Sequence, residues 1–192
     1  MIVTIAGLPG SGKTTVASLL SKRLGSPWYS IGDLRGKMAL ERGMTLDQLN
    51  KLGEKHAFTD REVDEYQKKL GEQGKPCIIE GRLSWHFIPK SFKVFLDVDP
   101  AVGAERVFQS SKRKERPDEQ SYSSLDEARE HIQYRLGSDK RRYQKYYGVD
   151  TLDRANYDLV LDTTKQSPEQ IVENILRASL KWQGEHPNHV NA

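Results

Sequence analysis

Short, largely β-branched apolar runs punctuate this chain: IVTIA at 2–6, PWYSIG at 27–32, PCIIEG at 76–81, FKVFLDVD at 92–99 and YDLVLDTT at 157–164. Runs of this length, bounded by glycine, proline or aspartate, read as buried strands. Between them the apolar residues recur at helical spacing. KTTVASLLSKRLG places Val16, Leu19, Leu20 and Leu24 on one face, and Gly25 and Pro27 end that helix. Three charged helical stretches, DLRGKMALERG, TLDQLNKLGEKH and TDREVDEYQKKLGEQG, fill most of 33–75 without a strand signal. After the fourth strand come PAVGAERVFQ, the polar stretch SSKRKERPDEQSYSS and a helix expected from about Leu125 to Tyr146. The last helix, SPEQIVENILRASLKW, is signalled by Ser167 as cap, Pro168 in the first turn and Gln170 completing a capping box. Strands alternating with helices predict an α/β fold, a parallel sheet with helices on both faces. The block 33–75 and the stretch 109–124 interrupt that rhythm as insertions. Residues 1–182 are expected to form one domain and 183–192 a disordered tail.

The first strand runs into GLPGSGKTT, residues 7–15. Gly7, Gly12, Lys13 and Thr14 fit G-x-x-x-x-G-K-[ST], and the strand before and helix after supply the context this P-loop pattern needs. The loop comprises Gly7, Leu8, Pro9, Gly10, Ser11, Gly12, Lys13, Thr14 and Thr15, and its backbone N–H groups (Pro9 has none) would converge on phosphate oxygens at a helix N-terminus. Lys13 would reach the β- and γ-phosphates, and the Thr14 hydroxyl would ligate Mg²⁺. A nucleoside triphosphate with Mg²⁺ is therefore the expected ligand. A GTPase switch would add D-x-x-G and N-K-x-D. DLRG (33–36) and NKLG (50–53) are present, but the second lacks its aspartate and both lie within helical text.

Composition narrows the picture. Apolar residues make up 36% and charged residues 30%, which suits a soluble globular chain, and no run approaches the length needed to span a bilayer. The net charge of +3 does not call for a nucleic-acid partner. KRKERPDE in the second insertion carries seven charges of which three are acidic, so it is no uniform nucleic-acid footprint. One cysteine, Cys77 in an apolar run, forms no intramolecular disulfide and is expected as a buried hydrophobe in a reducing cytoplasm. The five histidines show no ligand spacing. A monomer is expected.

Transfer between two anionic nucleotides needs cations to gather them. Strand-end logic places Ser30, Asp33, Glu80 and Arg82 at the carboxyl edge of the sheet, and Arg35 just beyond the second strand. Glu80 reads either as a carboxylate behind the water shell of Mg²⁺ or as a strand-end charge. Asp33 reads as part of that shell or as a helix cap. Lys112, Arg113 and Arg116 crowd the second insertion, a candidate lid. On the long helix Arg135, Asp139 and Arg142 are spaced i, i+4, i+7 and share a face, either as a phosphate site or as a solvated salt-bridge ladder. Asp97 and Asp99 are expected to cap the helix at Pro100. Tyr143, Tyr146, Tyr147 and Trp85 are expected as packing residues.

Together, GLPGSGKTTVASLLSKRLG, YSIGDLRGKMALERGMTLDQLN, IIEGRLS and RYQKYYGVD resemble the archaeal-type cytidylate kinases of the nucleoside monophosphate kinase group. The likeness extends to about residue 180. It implies a five-stranded parallel sheet, a helical monophosphate-binding insertion and a lid. It also implies Mg-ATP as donor and CMP or dCMP as acceptor. Residue by residue, it implies that Ser30 and Arg35 hold the acceptor and Arg82 its phosphate. Arg135, Asp139 and Arg142 match an arginine–aspartate–arginine set that contacts the monophosphate and its sugar. Related kinases acting on AMP, UMP or a small alcohol, and a nucleic-acid-associated ATPase, are the alternative readings.

Overall fold

A computed structural model describes residues 1–113 and 121–187. Five strands, β1 (Ile2–Gly7), β2 (Trp28–Ser30), β3 (Cys77–Glu80), β4 (Phe92–Asp97) and β5 (Leu159–Asp162), form one sheet in the order β2-β3-β1-β4-β5. Every pairing is parallel. The helices are α1 (Lys13–Leu24), α2 (Ile31–Glu41), α3 (Leu46–Lys55), α4 (Phe58–Glu72), α5 (Ser84–Phe87), α6 (Pro100–Lys112), α7 (Leu125–Tyr147) and α8 (Pro168–Glu185). The expected strands and helices are all present. The one-turn α5 carries no periodic signal and escapes the sequence pattern.

Period-two alternation sorts the strand residues between two cores. Val3, Ile5, Ile78, Phe92, Val94 and Leu96 pack with Val16, Leu20, Ile171 and Ile175 of α1 and α8. Ile2, Cys77 and Ile79 face the other way, onto Met38, Leu49, Val63 and Leu70 of the three insertion helices. Each such side chain taken fully from water stabilises by about 1.5–3 kcal/mol. Cys77 is one of these hydrophobes, and burial pushes its thiol up to about 11. On α1, Val16 and Leu20 are buried as expected, whereas Leu24 lies at the exposed end. Neither neighbour of β1 is its sequence neighbour, so connections leave in opposite directions there. That switch point opens a crevice at the carboxyl end of β1, where the glycine loop begins.

Helix ends refine several expectations. Ser30 caps α2, accepting from the Asp33 N–H at 3.2 Å, so Asp33 lies inside the first turn of the helix and does not cap it. Asp99 caps α6 through the N–H groups of Ala101 and Val102. Asp97 instead accepts from Val98 N–H and pairs with Arg154 at 2.7 Å. The Ser167 capping box forms as expected, and α8 continues to Glu185, which makes 183–185 helical rather than tail. Ser110 to Lys112 complete α6, so the second insertion starts inside a helix. Among the described residues no helix is long and apolar enough to cross a membrane.

Two glycines shape the loop differently. Gly10 has φ +76°, and a Cβ there would lie 2.2 Å from the Gly103 carbonyl oxygen on α6. Gly12 has φ +80°, and a Cβ there would meet nothing within 4 Å. Left-handed backbone costs an alanine about 1–2 kcal/mol, and in a domain of this size each kcal/mol lowers Tm by about 2–4 °C. Gly10→Ala adds a backbone overlap to that strain. Calorimetry is expected to show a Tm loss for Gly10→Ala at least about twice that for Gly12→Ala; equal losses would contradict the close approach of loop and α6.

Candidate active site

Helix α1 begins without a side-chain cap: Gly12 is its N-cap and no acid lies in its first turn. By contrast Ser30, Thr45, Asp99, Ser124 and Ser167 all cap their helices. The start of α1 is thus closed by no side-chain cap, and it is the positive end of the helix, where an anion is favoured. Open space over Gly12 gives such an anion room. Lys13 Nζ donates to the Leu8 carbonyl at 2.8 Å, which folds its ammonium back across the loop. From the end of β3, Glu80 accepts from the Thr14 hydroxyl, 3.1 Å to Oε2 and 3.3 Å to Oε1. A hydroxyl beside a buried carboxylate is a donor set suited to Mg²⁺ and its water shell, so the residues fit Mg-ATP.

A cavity of about 480 Å³ runs from this loop to the insertion helices. Its far end holds three arginines. Arg35 of α2 donates to Asn50 Oδ1 (2.8 Å), to Asp60 Oδ1 (2.8 Å) and to the Thr59 carbonyl (3.0 Å). Arg142 of α7, 1% exposed at its side chain, meets Asp139 Oδ1 at 2.9 Å and Asp60 Oδ2 at 3.4 Å. Arg82, one residue past the glycine that follows β3, meets Asp139 Oδ2 at 2.6 Å. Burial first, and then the like charge of Arg142, push the Arg35 guanidinium below its ordinary range. Burial also opposes the charge on Arg142, but Tyr143, Asp139 and Asp60 outweigh it and raise that group. Three cations sharing two carboxylates with low exposure form a site that an incoming dianion would relieve.

The long-helix set is therefore no solvated ladder. Asp139 and Arg142 are buried, and Asp139 ties two arginines together. Arg135 lines the same cavity. Of the loop, Pro9, Gly10 and Gly12 to Thr15 form its wall, while Gly7, Leu8 and Ser11 do not line it. Ser30 and Asp33 do not belong to the wall; Ser30 acts on the site by starting the helix that carries Arg35. In the second insertion Arg113 lines the cavity and Lys112 lies over the Phe108 ring at 4.2 Å, whereas Arg116 falls outside the described residues.

The sequence reading missed Asn50, Asp60, Asp64 and Gln67. Asp60, Asp64 and Gln67 sit at i, i+4 and i+7 of α4, buried beside Val63 and Leu70. Polar residues in the apolar stripe of an amphipathic helix were the available signal. Tyr147 donates to Asp64, and Tyr146 donates to the Gly53 carbonyl at 2.9 Å. These tyrosines hold α7 against α3 and α4 by their hydroxyls, in addition to packing. Burial raises the Asp64 carboxyl to about 6 even though the Tyr147 hydrogen bond opposes it. Trp85 is buried, donates to the Arg82 carbonyl at 3.1 Å and packs on Tyr157, so it supports Arg82 from behind.

Residues 2–165 match the model of the cytidylate kinase-like family. A cytidylate kinase from Methanobrevibacter smithii is 35% identical over 176 residues, 92% of this chain and 96% of that protein. One from Pyrococcus abyssi is 38% identical over 174 residues, 89% of each. Among solved structures, a shikimate kinase from Aquifex aeolicus superposes with a TM-score of 0.56 at 25% identity, covering 93% of this chain and 95% of that one. The nucleotide-loop fold, the arginine-lined cavity and these likenesses agree: the chain belongs to the cytidylate kinase-like family.

Proposed function

We propose that this protein transfers the γ-phosphoryl group of ATP to CMP, giving CDP and ADP. One observation carries the reading. A single cavity joins an uncapped P-loop helix to a buried arginine cluster, so two anionic ligands can face each other within it. Two relatives named cytidylate kinases supply the acceptor. When bound, Mg²⁺ would be held by the Thr14 hydroxyl and, through water, by Glu80, and would neutralise charge on the transferring group. Lys13 and the α1 N-terminus bind and orient the triphosphate. Arg35, Arg82, Arg135 and Arg142 hold the acceptor phosphate, and Asp60 and Asp139 fix where those guanidinium groups point. Catalysis then rests on positioning and preorganised charge, with no covalent intermediate. Of the candidate lid, Arg113 is on the cavity wall, and residues 114–120 lie outside the described residues. The chain works in a reducing cytoplasm, in keeping with its free, buried thiol.

Mixing ATP with CMP, dCMP, UMP, AMP and shikimate and measuring ADP tests the reading directly. CMP-dependent turnover is expected, and turnover with only another acceptor would overturn it. Lys13→Met is expected to lower kcat by about 10²–10³ at nearly unchanged Tm, because it removes a charge that would swing from the Leu8 carbonyl to the transferring group. Retention of more than about a tenth of kcat would remove Lys13 from that role. Asp139→Ala releases both Arg82 and Arg142. It is expected to cut kcat/KM for CMP by at least about tenfold, roughly 1.4 kcal/mol, while the KM for ATP changes far less. Equal effects on both substrates would make Asp139 a support of the fold alone.

A further inference from the structure

The arginine cluster accounts for a phosphate but not for a base. The same cavity is also lined by Ile31, Val63 and Leu83 and by Asp64 and Gln67. Apolar side chains of this kind offer faces for a flat ring, while the two polar groups are each restricted by a neighbour. The Gln67 carbonyl oxygen accepts from the buried Ser84 hydroxyl at 2.7 Å. That fixes the amide and leaves its NH₂ as the group it can offer the cavity, a donor only. Asp64 Oδ2 accepts from the Tyr147 hydroxyl, which leaves Oδ1. With its carboxyl raised only to about 6, that oxygen is an acceptor at neutral pH. Three residues apart on α4, acceptor and donor lie on one helix face.

We propose that Asp64 and Gln67 read the edge of the acceptor's base, selecting one that presents a hydrogen-bond donor next to an acceptor. This rests on the reading of CMP as acceptor given above. The cytosine edge carries an amino donor at N4 beside the N3 acceptor, so Asp64 takes N4–H and Gln67 donates to N3. Uracil reverses both groups, with an O4 acceptor beside an N3–H donor. UMP would then face a carboxylate with its own carbonyl and an amide NH₂ with its own N–H, and both polar pairs would go unmade. Sites built to hydrogen-bond a substrate group discriminate strongly, because a mismatch leaves buried groups unpaired. Adenine presents the same donor–acceptor order, so this pair separates cytosine from uracil and not from adenine.

Two near-isosteric exchanges test the assignment. Asp64→Asn keeps an oxygen for Tyr147 and turns the remaining group into a donor. Gln67→Glu keeps an oxygen for Ser84 and turns the remaining group into an acceptor. Rates are measured for each variant, for the double variant and for the wild type, with CMP and UMP at saturating Mg-ATP. Each single exchange is expected to lower the ratio of kcat/KM for CMP over that for UMP by at least about tenfold, and the double exchange to lower it further. A merely structural role reduces both substrates alike, so an unchanged ratio in folded variants overturns the proposal. If one variant fails to fold, the ratio in the other decides in the same way. If both fail to fold, native mass spectrometry of the wild type with each nucleotide decides: equal CMP and UMP affinity overturns the proposal and a CMP preference of at least about tenfold supports it. Wild-type protein inactive toward CMP would remove the acceptor reading and this inference together, whereas an active wild type with an unchanged ratio removes only the inference.

Discussion

Burial of the Arg142 guanidinium is the constraint on which the rest of the site depends. A charge held at 1% exposure must be paired, because an uncompensated one in the interior costs several kcal/mol. Its partners come from two helices: Asp139 one turn earlier on α7, and Asp60 of α4. Asp60 also binds Arg35 of α2, and Asp139 also binds Arg82 beyond β3. One buried cation thus fixes the distance between the insertion helices, the long helix and the carboxyl edge of the sheet. Removing a partner would leave a buried cation less compensated and its guanidinium less firmly placed.

The same pairing explains why the site is receptive. Asp60 and Asp139 satisfy the arginines in part, and the mutual repulsion of Arg35 and Arg142 remains. A phosphate entering among them gains charge-assisted hydrogen bonds without having to order the donors first. Opposite them, α1 presents an end that no side chain caps, and Thr14 meets Glu80 at 3.1 Å. An uncapped helix start and a buried arginine cluster, one built from backbone and one from side chains, share a cavity. Phosphoryl transfer requires this arrangement, since the reactants would otherwise repel one another.

Support comes from behind as well. Ser30 starts the helix that carries Arg35, and Trp85 holds the Arg82 carbonyl. Tyr146 and Tyr147 tie α7 to α3 and α4 by hydroxyls, while Ser138 and Arg141 both reach Glu54 of α3. These contacts are polar, so the insertion helices meet α7 through groups that can also pair with water. The sheet core, in contrast, is closed by Val, Ile, Leu and Phe.

Local chemistry made much of this legible from residues alone. Glycine spacing, lysine and threonine after an apolar run, and caps such as Ser167 act over a few positions, and period-two and period-3.6 patterns report which face is buried. The strands, the long helices and the P-loop therefore follow from the sequence. Arg135, Asp139 and Arg142 could be placed on one face, but periodicity is silent on whether a charged face meets water or another helix. Only the packing of α7 against α3 and α4 decided that Arg142 is buried and that Asp139 links it to Arg82. Asp60, Asp64 and Gln67 stayed hidden for the same reason, because their roles depend on partners 17 to 83 positions away. The sequence by itself determined the sheet, the phosphate loop and the supply of arginines; tertiary structure decided which carboxylates meet them, since pairing of buried charges is set by distances between elements that no local pattern encodes.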